Sequence, residues 1–296
     1  MPTNEQRRAT AKRKLERQLE RRAAAARRRR LLTIIGSAIG AVLVIGAVAT
    51  VVIITNRGSN GNTASATTST PPTSGAAQPP ADGKVPPLPA FAAPADLGAN
   101  CQYPAAEAAS KPNKPPRTGK VPTTPAQVSV SMETNQGNVG IQLDNGKSPC
   151  TVNSFASLAQ QGFFNDTPCH RLTTSPTLSV LQCGDPTGKG TGGPGYQFAN
   201  EYPTNQFQPA DPALQQPVTY PRGTLAMANA GPGTNGSQFF LVYKDSQLPP
   251  GYTVFGTIDD TGLKTLDKIA AAGTADGGQD GSPKQPVQIK SVLLDN

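Results

Sequence analysis

The most specific part of the sequence is the run Met227-Ala-Asn-Ala-Gly-Pro-Gly-Thr-Asn-Gly-Ser-Gln-Phe-Phe240. Both ends of this run are apolar and β-prone, and Gly and Pro break it in the middle. Phe239 and Phe240 are adjacent, and successive residues of a strand point to opposite faces. We therefore expect one of the two rings to lie in a core and the other to reach a pocket.

Shorter motifs lie on both sides of this run. Cys169-His-Arg-Leu172 leads into Val180-Leu-Gln-Cys-Gly-Asp185, and Gly190-Thr-Gly-Gly-Pro-Gly195 comes next. Leu248 and Tyr252-Thr-Val-Phe-Gly256 follow downstream. Most segments between the motifs are short, β-prone and interrupted by Gly and Pro. Together with two helical segments they indicate a β-barrel or sandwich with helical caps.

In this order the motifs resemble those of the cyclophilin family of peptidyl-prolyl isomerases, over about Val128 to Leu294. The resemblance implies a mainly β fold, a closed antiparallel eight-stranded barrel capped by two α-helices, with the substrate groove on its outside. It also implies cis/trans rotation of X-Pro bonds without a cofactor or metal, because no bond is broken. Membrane-anchored cyclophilins of mycobacteria and related actinobacteria look the most similar as whole chains.

The resemblance also assigns residues to the groove. Arg171 is the expected catalytic donor, because a fixed guanidinium stabilises the prolyl nitrogen once the amide has twisted and so lowers the barrier. The other residues expected to take part in catalysis are Gln182, Asn229 and Phe240. The expected substrate-binding residues are Val180, Gly190, Ala228, Ala230, Thr234, Gln238, Leu248 and Tyr252.

The sequence departs from the family at three places around the groove. Where the family has a pocket phenylalanine and methionine, an insertion leaves Leu178 or Ser179, and Val180, so we expect a shallower proline pocket. A second insertion, between Glu201 and Pro221, is either a rim loop or a surface connection. Gln247 replaces the family's usual tryptophan, which predicts weak binding of cyclosporin.

The sequence lacks the motifs of three other kinds of site: a serine-hydrolase triad, a zinc site and a dinucleotide site. The only histidine is His170, and no serine lies in a Gly-x-Ser-x-Gly motif, so a Ser-His-Asp triad is not indicated. No two cysteines form a Cys-x-x-Cys pair, which argues against the usual zinc pattern. A Gly-x-Gly-x-x-Gly pattern over 188–193 runs into Pro194 instead of a helix, so a dinucleotide site is not indicated either.

The N-terminal part predicts a membrane anchor. Residues 1–30 carry 12 Lys and Arg against 3 Asp and Glu, whereas the rest of the chain carries 15 against 16. The basic charge therefore belongs to an arm, and no nucleic-acid partner is indicated. Leu31–Thr55 is uncharged and longer than the ~20 residues that cross a bilayer. The positive-inside rule keeps the arm cytoplasmic and places the C-terminal domain outside.

A cleaved signal peptide is the competing interpretation of this segment. Ala47-Val48-Ala49 matches a cleavage site, but apolar sequence continues beyond it, which favours the anchor. Residues 56–125 are rich in Ser, Thr and Pro and predict a disordered tether. Residues 126–296 form the expected cyclophilin-like domain. A helix is expected to begin near Ser148-Pro149, with Ser148 as N-cap and Pro149 at the first helical position, and a second one around Leu266.

The four cysteines, Cys101, Cys150, Cys169 and Cys183, all lie on the expected exported side, where disulfides persist. The resemblance puts Cys169 and Cys183 on neighbouring strands, although simple alternation points them to opposite faces. Cys101 is placed to join the end of the tether to the start of the first helix at Cys150. The expected pairs are therefore Cys101–Cys150 and Cys169–Cys183.

These expectations add up to a peptidyl-prolyl isomerase that acts on X-Pro bonds of exported or cell-envelope proteins and assists their folding. The alternative is a non-catalytic chaperone or binding module that holds Pro-containing segments in the same groove. The arginine at position 171 favours the enzyme, because holding a segment does not need that donor.

Overall fold

The computed structural model describes residues 84–295, which form one mainly β unit with two α-helices. Helix α1 spans Pro149–Gln160 and helix α2 spans Asp260–Ala272. The strands are β1 (Val128–Thr134), β2 (Gly137–Leu143), β3 (Thr167–Cys169), β4 (Arg171–Thr173), β5 (Val180–Cys183), β6 (Val218–Tyr220), β7 (Thr224–Met227), β8 (Phe239–Val242), β9 (Ser246–Leu248), β10 (Val254–Ile258), β11 (Asp280–Gly281) and β12 (Val287–Leu294). Two short 3-10 turns, Thr204–Gln206 and Pro212–Gln215, lie in the second insertion.

Ten of these strands form one antiparallel sheet in the order β11-β4-β5-β8-β7-β10-β2-β1-β12-β3, and β6 pairs with β9 separately. The predicted closed eight-stranded barrel is corrected to a curled sheet, because among the described strands no ladder joins β11 to β3. The chain leaves the extended pairing at His170 and so forms two strands, β3, which pairs with β12, and β4, which pairs with β5. The sheet is therefore curled so that β3 at one edge and β4 near the other edge are joined directly by the chain at His170.

The strand register sorts side chains onto the two faces of the curled sheet. Leu172, Leu181, Leu241 and Leu225 stand opposite one another on β4, β5, β8 and β7, and all four are buried in the inner core. Phe239 lies in the same core, whereas its neighbour on the strand does not. The prediction that the two adjacent rings on β8 lie on opposite faces of the sheet is thus confirmed.

Aromatic rings fill the space between the sheet and helix α1. Phe155 of α1 packs within 5.4 Å, centroid to centroid, of both Phe239 and Phe255, and within 4.9 Å of Phe164. Edge-to-face and tilted pairs of this kind add a little stability beyond the area that they bury. Helix α1 is therefore fixed against the back of the strands that carry the groove.

The start of helix α1 differs in detail from the sequence prediction. Pro149 is its first residue, as expected, and Ser148 precedes it, but the Ser148 hydroxyl donates to the Val254 carbonyl instead of capping the helix. The buried carboxylate of Glu201 takes the capping role. It accepts hydrogen bonds from the Cys150 and Thr151 backbone N–H groups at 3.0 and 2.8 Å and from the Thr151 hydroxyl at 2.7 Å.

The tether prediction is wrong for residues 84–125, which we call the extension. Residues 84–92 run beside β6, where the Thr219 N–H donates to the Pro86 carbonyl at 2.7 Å. Phe91 packs edge-on against Tyr202, with the ring centroids 5.6 Å apart. Apolar residues of the extension thus bury themselves on the folded domain.

The second half of the extension joins the inner core. Cys101, Tyr103 and Val121 are 1, 7 and 3 % exposed, and the Tyr103 hydroxyl donates to the Cys150 carbonyl at 2.7 Å. A Pro-rich segment lacks the apolar surface for a core of its own, but a few apolar anchors suffice when an existing core receives them. Composition averaged over the whole segment does not reveal such anchors.

The predicted arm (1–30), the predicted transmembrane helix (31–55) and residues 56–83 of the predicted tether lie outside the described residues. Within 84–295, neither helix has the length and apolar character needed to cross a bilayer.

Both expected disulfides are present in the structure, Cys101–Cys150 and Cys169–Cys183. The alternation argument had pointed the second pair apart. It does not hold because His170 interrupts the strand between Cys169 and Arg171, so the two belong to different ladders.

Candidate active site

A row of four residues crosses the outer face of the sheet. Arg171 on β4 stands opposite Gln182 on β5, Gln182 opposite Phe240 on β8, and Phe240 opposite Ala226 on β7. Directly opposed residues of antiparallel strands present their side chains on the same face. Three residues predicted from separate motifs are therefore brought into one line, which we call the groove row.

The guanidinium of Arg171 is held by two neighbours. Its Nε and Nη2 donate to the two carboxylate oxygens of Asp280, each at 2.7 Å, and its Nη1 donates to Gln182 Oε1 at 3.1 Å. The ion pair lowers the pKa of the Asp280 carboxyl and raises that of Arg171, so both groups stay charged at neutral pH. Paired hydrogen bonds of this kind fix the plane of a guanidinium as well as its position.

The hydrogen bonds continue from Arg171 across the groove. Gln182 Nε2 donates to Gln238 Oε1 at 2.9 Å, and Gln238 Nε2 donates to the carbonyls of Gly190 and Gly192 at 3.0 and 2.9 Å. Each amide orientation is therefore determined by the group before it. The chain of bonds fixes Gln182 between the catalytic candidate and the glycine-rich loop.

Asp185 holds the glycine-rich loop in place through hydrogen bonds to its backbone. Its buried carboxylate accepts hydrogen bonds from the N–H groups of Thr187, Thr191 and Gly192. Burial alone would raise the pKa of Asp185, but these donors more than offset it and lower the pKa. A Cβ on Gly192 would lie 2.0 Å from Asp185 Oδ1, so the close approach requires glycine there.

An apolar group, the outer cluster, adjoins the groove row. Its buried members are Val180, Tyr202, Val218, Tyr220, Ala226, Phe240, Val242 and Val254. The expected pocket residues Ala228, Leu248 and Tyr252 pack against it, as does Leu178 of the first insertion. Tyr252 meets Phe240 edge-on, with the ring centroids 5.8 Å apart. The sequence-predicted pocket residues therefore lie together.

The strand end Ala228–Ala230 offers an open backbone edge beside these groups. The Asn229 side chain donates to the Gly251 carbonyl at 2.9 Å and to Asn235 Oδ1 at 3.1 Å, which ties the edge to two loops. Thr234 braces the same turn through the Ala230 N–H at 2.9 Å. Within residues 84–295, the backbone N–H and C=O of Asn229 make no hydrogen bond.

His170 contributes nothing to this network. Burial lowers the pKa of its imidazole below the usual 6.5, and its Nδ1 has no hydrogen-bond partner among the described residues. The ring lies beside Gly190, where an added Cβ would come within 3.4 Å of it. Among the described residues, the ring therefore contributes packing against Gly190.

Three features of the site were not predicted from the sequence. Asp280 lies in the run Gly277-Gly-Gln-Asp280, where a lone carboxylate on a turn is typical of a solvated surface. Glu201 directly precedes the second insertion and lies in none of the motifs. The glycine-rich loop is also hydrogen-bonded to the extension. The only sequence feature that pointed to an extension packed on the domain was the expected disulfide of Cys101.

The fold and this site define a cyclophilin, and the comparison with protein families agrees. The model for cyclophilin-type peptidyl-prolyl cis-trans isomerases matches residues 129–293, so the chain belongs to this family. It is a peptidyl-prolyl cis-trans isomerase.

The chain is similar over its whole length to isomerases of two mycobacteria. The probable peptidyl-prolyl cis-trans isomerase B of Mycobacterium tuberculosis H37Rv is 72% identical over 100% of this chain and 95% of its own. The protein of the same name in Mycobacterium leprae is 65% identical over 100% of both. A cyclophilin-type isomerase structure from Cryptosporidium parvum is 29% identical, with a TM-score of 0.46 over 57% of this chain and 98% of that one.

Gln247 lies exposed on β9 and pairs with Thr219 of β6. The neighbouring pair of the same ladder, Val218 and Leu248, packs in or against the outer cluster, so Gln247 lies at the rim of that cluster. The weak binding of cyclosporin that follows from the missing tryptophan stays a prediction.

Proposed function

We propose that this isomerase acts on X-Pro bonds of exported or cell-envelope proteins and assists their folding, with Arg171 as the catalytic donor. The observation that carries the proposal is the guanidinium of Arg171, fixed on one side by Asp280 and standing in a row with Phe240. The charged donor can address the prolyl nitrogen of the substrate, and the apolar pocket beside it can hold the pyrrolidine ring.

The chemistry follows from the barrier. Partial double-bond character makes rotation about the X-Pro bond slow, and in the twisted state the prolyl nitrogen gains a lone pair. Three of the five guanidinium N–H groups of Arg171 are engaged by Asp280 and Gln182. One N–H on Nη1 and one on Nη2 remain to donate to that lone pair, and they bind the twisted state better than the planar one.

The other groove residues hold the substrate while the bond turns. Phe240, Leu248 and Tyr252, with Val180 behind them, take the pyrrolidine ring. The open edge at Asn229 pairs with the substrate backbone as an added strand, flanked by Ala228 and Ala230. The Gln182 and Gln238 amides contact the substrate carbonyls, while Gly190 and Thr234 border the groove.

The extracytoplasmic location rests on the cysteines. All four cysteines of the chain are joined in two disulfides, and such bonds persist in oxidising compartments. The uncharged run Leu31–Thr55 after a basic arm would anchor the chain with its isomerase domain outside.

The catalytic assignment is tested with the full-length chain in detergent, by following isomerisation of an Ala-Pro peptide. Arg171→Ala is expected to lower kcat/KM about 100- to 1000-fold, equivalent to about 2.7–4 kcal/mol, because one preorganised donor is lost. Arg171→Lys should recover little, since a flexible ammonium does not reproduce the planar fork. Thermal melting of both variants should match the parent.

Arg222→Ala is the matched control. Arg222 forms the same two-bonded ion pair with Asp267, at 2.7 and 2.8 Å and with similar exposure, outside the groove. It should leave kcat/KM unchanged. Near-parental activity of a folded Arg171→Ala variant contradicts the assignment, and an inactive parent that still binds the peptide would favour the holding module.

A further inference from the structure

A pocket of about 430 Å³ adjoins the groove at Gln182 and Gln238, and no member of the outer cluster lines it. Gln182 and Gln238 separate it from Arg171, so a polypeptide lying in the groove passes its mouth. One side is the strand end Ala228–Ala230 and another is the loop Gly190–Gly195. The third side, Ala106–Ala108, comes from the extension, and we call it the wall.

Hydrogen bonds on both sides hold the wall against the loop. The Ala106 N–H donates to the Gly195 carbonyl at 3.0 Å, and the Ser110 N–H donates to the Gly193 carbonyl at 2.9 Å. The Gly193 N–H returns a bond to the Ser110 hydroxyl at 2.8 Å. The wall lies before the start of the family match at 129, so this side of the pocket belongs to this chain's extension and not to the shared domain.

Among the described residues, the wall supplies the only carboxylate that lines the pocket, that of Glu107. Glu107 is exposed and makes no hydrogen bond or ion pair within residues 84–295. The one other titratable group of the lining is Tyr196, whose hydroxyl is engaged with Ser154 at 2.8 Å. The remaining lining is glycine backbone, small side chains and neutral amides. The pocket thus has room for a long side chain and one free negative charge.

We propose that this pocket binds a Lys or Arg side chain of the substrate, and that Glu107 recognises its cation. This inference rests on the proposed function, since it names the substrates that the groove prefers. A strand rises about 3.3 Å per residue, so the basic residue lies ~2–3 positions from the proline. The aliphatic stem lies along the small residues and the charged head reaches the carboxylate.

The size of the effect follows from the exposure of Glu107. Ion pairs in contact with water are weak, so the preference for a basic over a neutral side chain should be about two- to five-fold in kcat/KM. Salt screens such a pair, so the preference should shrink at high ionic strength.

The test uses the full-length chain and pairs of Ala-Pro peptides that differ by Lys or Gln at the second or third position on either side of the proline. The parent should prefer one of the Lys peptides about two- to five-fold at low salt. Glu107→Gln should abolish that preference, and Glu107→Lys should reverse it in favour of a Glu peptide. Asp96→Asn, an exposed carboxylate of the same extension outside the pocket, should retain it.

Equal rates for every Lys and Gln pair in the parent overturn the inference, and so does a preference that survives Glu107→Gln. Neither outcome affects the proposed isomerase activity, which depends on turnover of the Gln peptides alone. If the Gln peptides are not turned over, the affinities of the same peptides, measured by fluorescence anisotropy, test the preference for a basic side chain separately.

Discussion

Asp280 is the residue whose role differs most from its appearance in the sequence. It stands on the two-residue strand β11, which pairs with β4 beside Arg171. Its two carboxylate oxygens engage Nε and Nη2 of the guanidinium, Gln182 accepts from Nη1, and one N–H on each Nη remains for the substrate. We regard it as a positioning residue, because it touches the catalytic candidate and not the reacting bond.

Asp280→Asn is expected to lower kcat for an Ala-Pro peptide roughly 10- to 100-fold with little change in KM, because a slightly misplaced donor loses transition-state contact. Asp280→Glu should restore part of the rate. The melting temperature should stay close to that of the parent, since the pair is largely exposed. Asp267→Asn, which removes the equivalent partner of Arg222, serves as the control. A faster Asp280→Asn variant would contradict positioning and mean that the carboxylate masks the arginine charge.

At the scale of elements, helix α1 depends on a residue far away in sequence. The Glu201 carboxylate satisfies two backbone N–H groups at the start of the helix, although burial raises the pKa of this carboxyl against the effect of those donors. A negative group at a helix N-terminus is also favoured by the helix dipole. The residue at the start of the second insertion therefore stabilises the helix that backs the groove.

Glu201→Ala should lower the free energy of unfolding by about 2–4 kcal/mol, because it leaves buried donors without an acceptor. Glu201→Gln should lower it less, since the amide oxygen still accepts. Urea unfolding followed by circular dichroism measures both. The exposed Glu133→Gln change should stay within about 0.5 kcal/mol of the parent. A Glu201→Ala variant as stable as the parent would show that water replaces the cap.

At the scale of the whole molecule, the proposed orientation predicts how intact cells respond to protease. Protease added outside should remove the isomerase domain and leave the basic arm of residues 1–30 protected. The reason is the charge difference across the run Leu31–Thr55. An antibody to each end follows the two parts, with lysed cells as the control. A protected domain in intact cells, or a mature chain beginning near Thr50, would contradict the anchor.

The motifs predicted the groove better than its surroundings. Arg171, Gln182 and Phe240 each lie in a short pattern, and their alignment follows from strand pairing. Asp280 and Glu201 reach the site through tertiary contacts between segments 109 and 50 residues apart in sequence. No local pattern encodes such contacts, and the same limit explains why a Pro-rich extension was expected to be disordered.

The bond between Cys101 and Cys150 links positions 49 residues apart and encloses the whole wall of the pocket. If the chain is anchored as proposed, a cut ahead of residue 84 would release the domain with the wall intact. A cut between the two cysteines would sever the chain but release nothing, because the pieces stay covalently joined. The clipped molecule would run as one band without reductant and as two with it.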